Sequence, residues 1–378
     1  MKITALLSSS LGGGAEHLLN VIRYCPDPAI RFSVVVPNDG GHVPEILQKQ
    51  GIPVQLLDIA NGFRWNVFWE LVRYLKSNRP DIVHCHGYRA GLYGRLAAKL
   101  AVPKSKIILT VHGFHYIRYT NKIKRWLFLT AERCFQLITD HVVAVSDTDR
   151  NHLIEYKNAQ KEKSSVIVNG IDIERFANVN VDKQQKRSEL RIPAGATPVI
   201  GTVARLCPEK GVAYFIQAFP KIRAQFPSAH FLVVGDGFQK AEFQEWIYAH
   251  QLTDAVCLAG QRDDVPELMA LMDVFVFPSL WEGLPLAPLE AMAMGIPVVA
   301  TDVCGNRDII EADGRYGVLV SSRDANAIAE GVARLLTRPE ETNQMKTVAQ
   351  KHVSASYSAT RMAESTAALY VKLGLAYS

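Results

Sequence analysis

Short apolar runs alternate with helix-period segments along the whole chain, and this alternation limits the fold more than any other feature. Ile3–Leu7, Phe32–Val36, Val54–Leu57, Ile82–Cys85, Ile107–Val111, His141–Val145 and Val166–Val168 are short and rich in β-branched residues, and they predict strands. Ala15–Tyr24, Asn66–Lys76 and Gly91–Leu100 lie between them with helical periodicity. Strands that are apolar throughout, without in–out alternation, belong to a parallel sheet covered on both faces by helices. The rhythm breaks after Asp172, where residues 178–191 are polar and Pro193-Ala194-Gly195-Ala196 ends them. It restarts with Val199–Ala204, Phe231–Val234, Val256–Leu258, Val274–Phe277, Val298–Ala300 and Gly317–Val320. The expected architecture is α/β: two Rossmann-like parallel-sheet domains facing a central cleft. Residues 1–172 form the first, 173–196 a linker and 197–355 the second, while a last helix within 356–378 crosses back to domain one. Ligands of open parallel sheets bind beyond the carboxyl ends of the strands, so the chemistry is sought in the loops that follow them.

Hydrophobic residues make up 48% of the 378, enough for two cores and against disorder. The uncharged stretch Ala291–Thr301 is too short to span a bilayer, and Ile3–Leu7 is too short for a signal-peptide core. Six scattered cysteines without a C-x-x-C pair read as buried thiols of a reducing compartment, so a cytoplasmic location is expected. The net charge of +5 is unevenly placed: through Asp172 there are 22 Lys and Arg against 14 Asp and Glu, and afterwards 20 against 23. Between Ile82 and Ala131 there are nine basic residues and no acidic one. Such a window suits an anionic surface or substrate. Residues 115–133 mix Arg118, Lys122, Lys124 and Arg125 with Tyr119, Trp126 and Phe128, and Trp126, Leu127, Ala131, Cys134 and Ile138 recur at helical spacing. One expectation is a helix docked peripherally on an anionic membrane; the other is an apolar stripe packed on the sheet beside solvated cations. No nucleic-acid partner is expected.

Three loops carry candidate chemistry. Gly12-Gly13-Gly14-Ala15-Glu16 follows the first strand and opens a helix, where backbone amides can approach an anion. It is not a dinucleotide fingerprint, because His17 stands where the third glycine would be, and no Gly-Lys of a phosphate-binding P-loop occurs. Arg205 and Lys210 flank the loop after the first strand of domain two and suit a diphosphate and its departure as a leaving group. Glu282 and Glu290 follow Val274–Phe277, with Gly283 and Pro285 between them and a helix expected from Pro285–Leu286. A carboxylate there can accept hydrogen bonds from vicinal hydroxyls. His84 and His86 alternate beside Asp81, but spacing places no third metal ligand, so packing or acceptor contact is the better reading. No Asp-x-Asp motif is present, and neither a metal nor another cofactor is expected.

These blocks together resemble retaining glycosyltransferases of family 4, which have the GT-B fold. The resemblance runs over nearly the whole chain. It rests on the glycine turn, Val83-His-Cys-His86, Thr110-Val-His112-Gly113, Val145-Ser146, Val168-Asn-Gly-Ile-Asp172, Arg205/Lys210, Gly235-Asp-Gly237 and Glu282–Glu290. It implies a retaining hexosyltransferase that uses a nucleotide-diphosphate sugar, with UDP favoured. The implied acceptor is a glycan or a polyprenyl-diphosphate-linked glycan of bacterial surface polysaccharides. By the same resemblance Arg205 and Lys210 bind the donor diphosphate, Glu290 the ribose, and Glu282 the transferred sugar with backbone help from Gly283 and Leu284. Arg262 marks where main chain meets the base, His112 sits by the reacting sugar, and Gly13 and Gly14 close on the phosphates. Cys304-Gly305-Asn306 departs from the family's paired glycines near the donor sugar, which bears on donor identity. The rival readings are a UDP-sugar 2-epimerase of the same fold, a non-catalytic nucleotide-sugar module and an NAD-dependent oxidoreductase.

Overall fold

Thirteen parallel strands form two sheets in the computed structural model, which describes residues 1–60, 62–114, 121–311 and 313–375. The first contains β1 (Lys2–Leu7), β2 (Arg31–Val36), β3 (Val54–Leu56), β4 (Ile82–His86), β5 (Lys106–Val111), β6 (His141–Ala144) and β7 (Ser164–Val166), in the order β3-β2-β1-β4-β5-β6-β7. The second contains β8 (Val199–Val203), β9 (His230–Val234), β10 (Val256–Gly260), β11 (Val274–Phe277), β12 (Val298–Thr301) and β13 (Val318–Val320), in the order β10-β9-β8-β11-β12-β13. Each order reverses direction beside the sheet's first strand: between β1 and β4, and between β8 and β11. These are the switch points where helices on opposite faces leave a crevice.

The chain divides into two compact units, Ile171–Ser358 and the remainder. The final helix, Ala359–Leu375, belongs to the first unit. Its Met362, Ala367, Leu369 and Tyr370 complete a core with Ile3, Ile82, Ile108 and Val143 from the central strands. Tyr370 also reaches His84, whose Nδ1 lies 2.6 Å from the phenol oxygen. β7 ends at Val166, two residues before the expected strand's end, and the chain then turns toward a helix: Asn169 meets His17 and the Gly170 carbonyl accepts from Asn20.

Residues 173–196, read as a linker, carry short helices of their own, Ile173–Ala177 and Lys183–Glu189, capped by Asp172 and Asp182. Lys186 in the second pairs with Asp264 at 2.8 Å and Glu267 at 2.7 Å, which fixes this segment to the second unit. The cysteine expectation also needs correction. Cys85 and Cys207 are buried, but Cys134 is exposed and the other three are partly so, because Cys134 lies on the outer face of the helix Lys122–Phe135. Among the described residues, no helix is long and apolar enough to cross a membrane.

Each unit holds a buried histidine at the start of a strand. Burial, reinforced by Lys372 and Arg150, lowers the pKa of His141 to about 4. Burial, reinforced by Arg187, lowers that of His230 to about 4. Both are buried as neutral bases, whereas the unfolded chain protonates them near pH 6.5. The unfolded state therefore binds more protons between these values, and stability present above pH 6.5 is lost as pH falls toward 4. Each site should give up about 2 kcal/mol by pH 5. Denaturant titrations from pH 7.5 to 5 should show this decline, and it should be smaller in His141→Gln.

Candidate active site

In the second unit, the loop after β8 meets the loop after β11. Pro208–Lys210 form a single tight turn, and Gly211 ends it with φ at +63°. A Cβ at Gly211 would lie 2.0 Å from the Pro278 carbonyl oxygen, so only glycine allows the two loops to touch. The Leu280 amide then donates to the Glu209 carbonyl at 2.8 Å. This contact brings Lys210 Nζ to 2.6 Å from Glu282 Oε1, and Ser279 Oγ donates to the same oxygen at 2.6 Å. Glu282 is buried, and among the described residues its Oε2 has no hydrogen bond. That oxygen is thus available to accept from ligand hydroxyls. Arg205 lies on the same loop, exposed, with its guanidinium in no hydrogen bond or ion pair among the described residues.

Glu290 lies on the helix Leu286–Ala293, whose cap is Pro285 as the sequence predicts. It occupies the fifth position of that helix, one turn inside rather than at the start. The neighbouring turn Val303–Asn306 packs on the same loop: a Cβ at Gly305 would lie 2.3 Å from the Gly283 carbonyl oxygen. The Glu282–Leu284 backbone is buried beneath it. Arg262 donates to Asp264 from Nε at 2.7 Å and also pairs with Glu189. Its side chain is committed to the protein, so any ligand contact at this position falls to its main chain. The neighbouring guanidinium and Lys186 hold the Asp264 carboxyl well below the usual carboxylate range.

In the first unit, the helix Gly13–Arg23 begins after Gly12, whose φ is +80°. His112 directly follows β5, and a Cβ at Gly14 would lie 3.7 Å from its Cδ2. The glycine turn and His112 are therefore neighbours, as the two motifs alone do not reveal. His17 and His86 join them: the His17 and His112 rings are 4.8 Å apart edge to face, and His86 Nδ1 lies 3.4 Å from His112 Nε2. Burial and the neighbouring rings hold His86 and His112 well below the usual histidine range. Burial lowers His17 to about 4. The chemistry here is that of neutral imidazoles. His84 is different, because Tyr370 and Thr110 take its two nitrogens and make it part of the packing. Asp81 takes no part, since its carboxylate accepts from the Lys2 amide at the opposite end of the sheet.

Comparison with known proteins settles the family. The model for Glycosyltransferase Family 4 matches residues 11–175, and that for Glycosyl transferases group 1 matches residues 182–352. The UDP-Gal:alpha-D-GlcNAc-diphosphoundecaprenol alpha-1,3-galactosyltransferase of Escherichia coli is 32% identical over 70% of this chain and 68% of its own length. The chain belongs to glycosyltransferase family 4. This glycosyltransferase is also 25% identical, over 80% of its length and 79% of the relative's, to the capsular polysaccharide biosynthesis glycosyltransferase CapM of Staphylococcus aureus. Its fold matches that of Anabaena HepE, crystallised in complex with UDP and glucose, with a TM-score of 0.85 at 23% identity, covering 98% of this chain and all of the other. It is an α/β enzyme of the GT-B class, and transfer with retention fits the family. The transferase names disfavour the 2-epimerase reading.

Sequence reasoning singled out Arg205, Lys210, Glu282, Glu290 and His112 as candidates, but did not single out three residues that the structure places beside them. Ser279 carries no motif signal. Gly305 counted only as a departure from paired glycines. His17 was noticed only for not being glycine, although its place one turn into the helix after the glycine turn was a usable signal.

Proposed function

We propose that this glycosyltransferase moves a hexosyl unit from a UDP-sugar to a glycan carried on polyprenyl diphosphate, at the inner face of the membrane, in building a bacterial surface polysaccharide. The second unit binds the donor. Arg205 and Lys210 hold the diphosphate, Glu290 the ribose, the main chain at Arg262 the base, and Glu282 with Gly283 and Leu284 the transferred sugar. The first unit serves the acceptor, with His112 beside the reacting sugar and Gly13 and Gly14 offering amides to phosphate. The diphosphate departs through an oxocarbenium-like state, the acceptor hydroxyl attacks on the same face, and a leaving-group oxygen takes its proton. This route requires no separate carboxylate base. The pairing of Lys210 and Ser279 with one oxygen of Glu282 supports the donor side, because it sets a cation and a free carboxylate oxygen side by side.

The observation that carries the acceptor side is the helix Lys122–Phe135. Its buried face holds Leu129 and Glu132, while Ile123 and Trp126 are 70% and 62% exposed and Leu127 and Leu137 also face solvent. The expected apolar stripe is thus turned outward among the described residues, with Lys122 and Lys124 exposed beside it. Residues 115–120 of the same segment, Arg118 and Tyr119 included, lie outside the described residues. The basic window is not one patch, since Arg95 is buried against Glu132 and Lys106 pairs with Asp140. An exposed tryptophan beside cations suits the headgroup layer of an anionic bilayer, where each cation contributes about 1 kcal/mol.

Two linked measurements test this reading. The protein should float with anionic liposomes at low salt, release as salt rises, and bind less after Lys122, Lys124 and Arg125 are changed to Ser. Mass spectrometry of a nucleotide-sugar panel should show transfer from a UDP-sugar to a polyprenyl-diphosphate acceptor. Transfer to soluble acceptors alone, with no flotation, would remove the membrane part.

A further inference from the structure

We infer that His17, His86 and His112 form a binding site for a borderline transition-metal cation of the Zn²⁺ class. One ring nitrogen from each histidine lies within 4.8 Å of the other two. The His86 Nδ1–His112 Nε2 separation of 3.4 Å is long for a hydrogen bond. It matches the edge of a tetrahedron built on Zn–N distances of about 2.0–2.1 Å. A third imidazole completes the three-histidine set typical of open zinc sites, whose fourth position takes water or another oxygen ligand.

A second observation shows that protein groups alone do not satisfy this cluster. His86 is 2% exposed, and its Nε2 is buried without a hydrogen-bond partner. If His86 donates from Nδ1 to His112, its Nε2 keeps an unanswered lone pair. If His112 donates instead, His86 Nε2 carries an unanswered N–H. Every assignment of the shared proton leaves one polar atom of the pair orphaned, which is costly in a buried site. A cation bound at His86 Nδ1 and His112 Nε2 ends the contest for the shared proton and fixes the Nε2–H tautomer of His86, whose N–H remains without a partner among the described residues.

The surroundings favour ligation. Asn169 Oδ1 lies 2.9 Å from His17 Nδ1, so Nδ1 carries the proton and Nε2 presents its lone pair. His84 offers the contrast: it lies in the same cluster, but both its nitrogens are used. Among the described residues, no carboxylate joins the set, so hard cations such as Mg²⁺ are poor candidates.

One consequence rests on the reading of His112 as a neighbour of the transferred sugar: a bound ion blocks transfer. Chelator-treated enzyme is then fully active, added Zn²⁺ inhibits it, and chelator restores activity.

The test uses Co²⁺ as a spectroscopic probe on the full-length chain, with circular dichroism to confirm folding of each variant. A single Co²⁺ per chain should give the intense visible absorption of tetrahedral nitrogen ligation, and Zn²⁺ should displace it. His17→Gln should abolish the signal, and Asn169→Ala should weaken binding by roughly 10–100-fold. An absent signal, or one that survives in folded His17→Gln and His86→Gln alike, overturns the site. A full signal without Zn²⁺ inhibition supports the site and overturns the placing of the sugar at His112, so the two failures are distinguishable.

Discussion

Replacing Arg205 with alanine should lower turnover at saturating donor by about 10²–10³-fold, while stability changes by less than about 0.5 kcal/mol. The two effects separate because Arg205 is exposed and its guanidinium makes no hydrogen bond or ion pair among the described residues. On the proposed reading, its contribution grows as further negative charge develops on the leaving diphosphate. Lys210→Ala should show the same loss of rate with a different stability signature. Lys210 is one of two groups that satisfy Oε1 of the buried Glu282, so its removal leaves that carboxylate with Ser279 alone. A buried charge stripped of its counter-ion is costly, and the melting temperature should fall with the rate. Single-turnover kinetics with the donor, together with thermal unfolding, checks both variants. Near wild-type turnover in Arg205→Ala would remove the diphosphate clamp from the mechanism.

The largest structural effect should come from Glu132→Ala, which is expected to cost about 3–5 kcal/mol in the first unit. Arg95 is 1% exposed and donates to Glu132 through two bonds of 2.9 and 2.7 Å, while its Nε is held by the Gly91 carbonyl. Its guanidinium also lies over the Phe135 ring, 4.3 Å from the centroid. Losing Glu132 leaves an uncompensated guanidinium in the interior. Arg95→Met with Glu132→Leu should recover most of the loss, because neither charge then remains buried. Chemical denaturation measures both variants. A loss below about 1 kcal/mol in Glu132→Ala would mean that water reaches this pair. The double variant should also keep liposome binding, because Lys122, Lys124 and Trp126 are exposed and take no part in the pair.

This ion pair also explains where sequence reading stopped. Helical spacing correctly grouped Trp126, Leu127, Ala131 and Cys134 on one face. Periodicity identifies residues that share a face, but it does not say which face is buried. In most helices the apolar face is inside. Here Arg95 offers a fully satisfied partner, so Glu132 and Leu129 turn inward and the apolar stripe is left to solvent.

The sequence by itself determined the two α/β domains and the loops after the strands, and it singled out Arg205, Lys210, Glu282 and Glu290 as candidates. Those features are local: a strand, its following turn and a helix start lie within some twenty residues, and their periodicities and turn glycines are visible there. Only the tertiary structure decided what meets across the chain. Lys210 Nζ donates to Glu282 Oε1 although 72 residues separate them. Arg262 spends its charge on Glu189 and Asp264, and His17, His86 and His112 converge from a helix, a strand and a loop. Such pairings depend on strand order and on which side chains can satisfy one another once water is excluded. A one-dimensional pattern of residue types does not encode either directly.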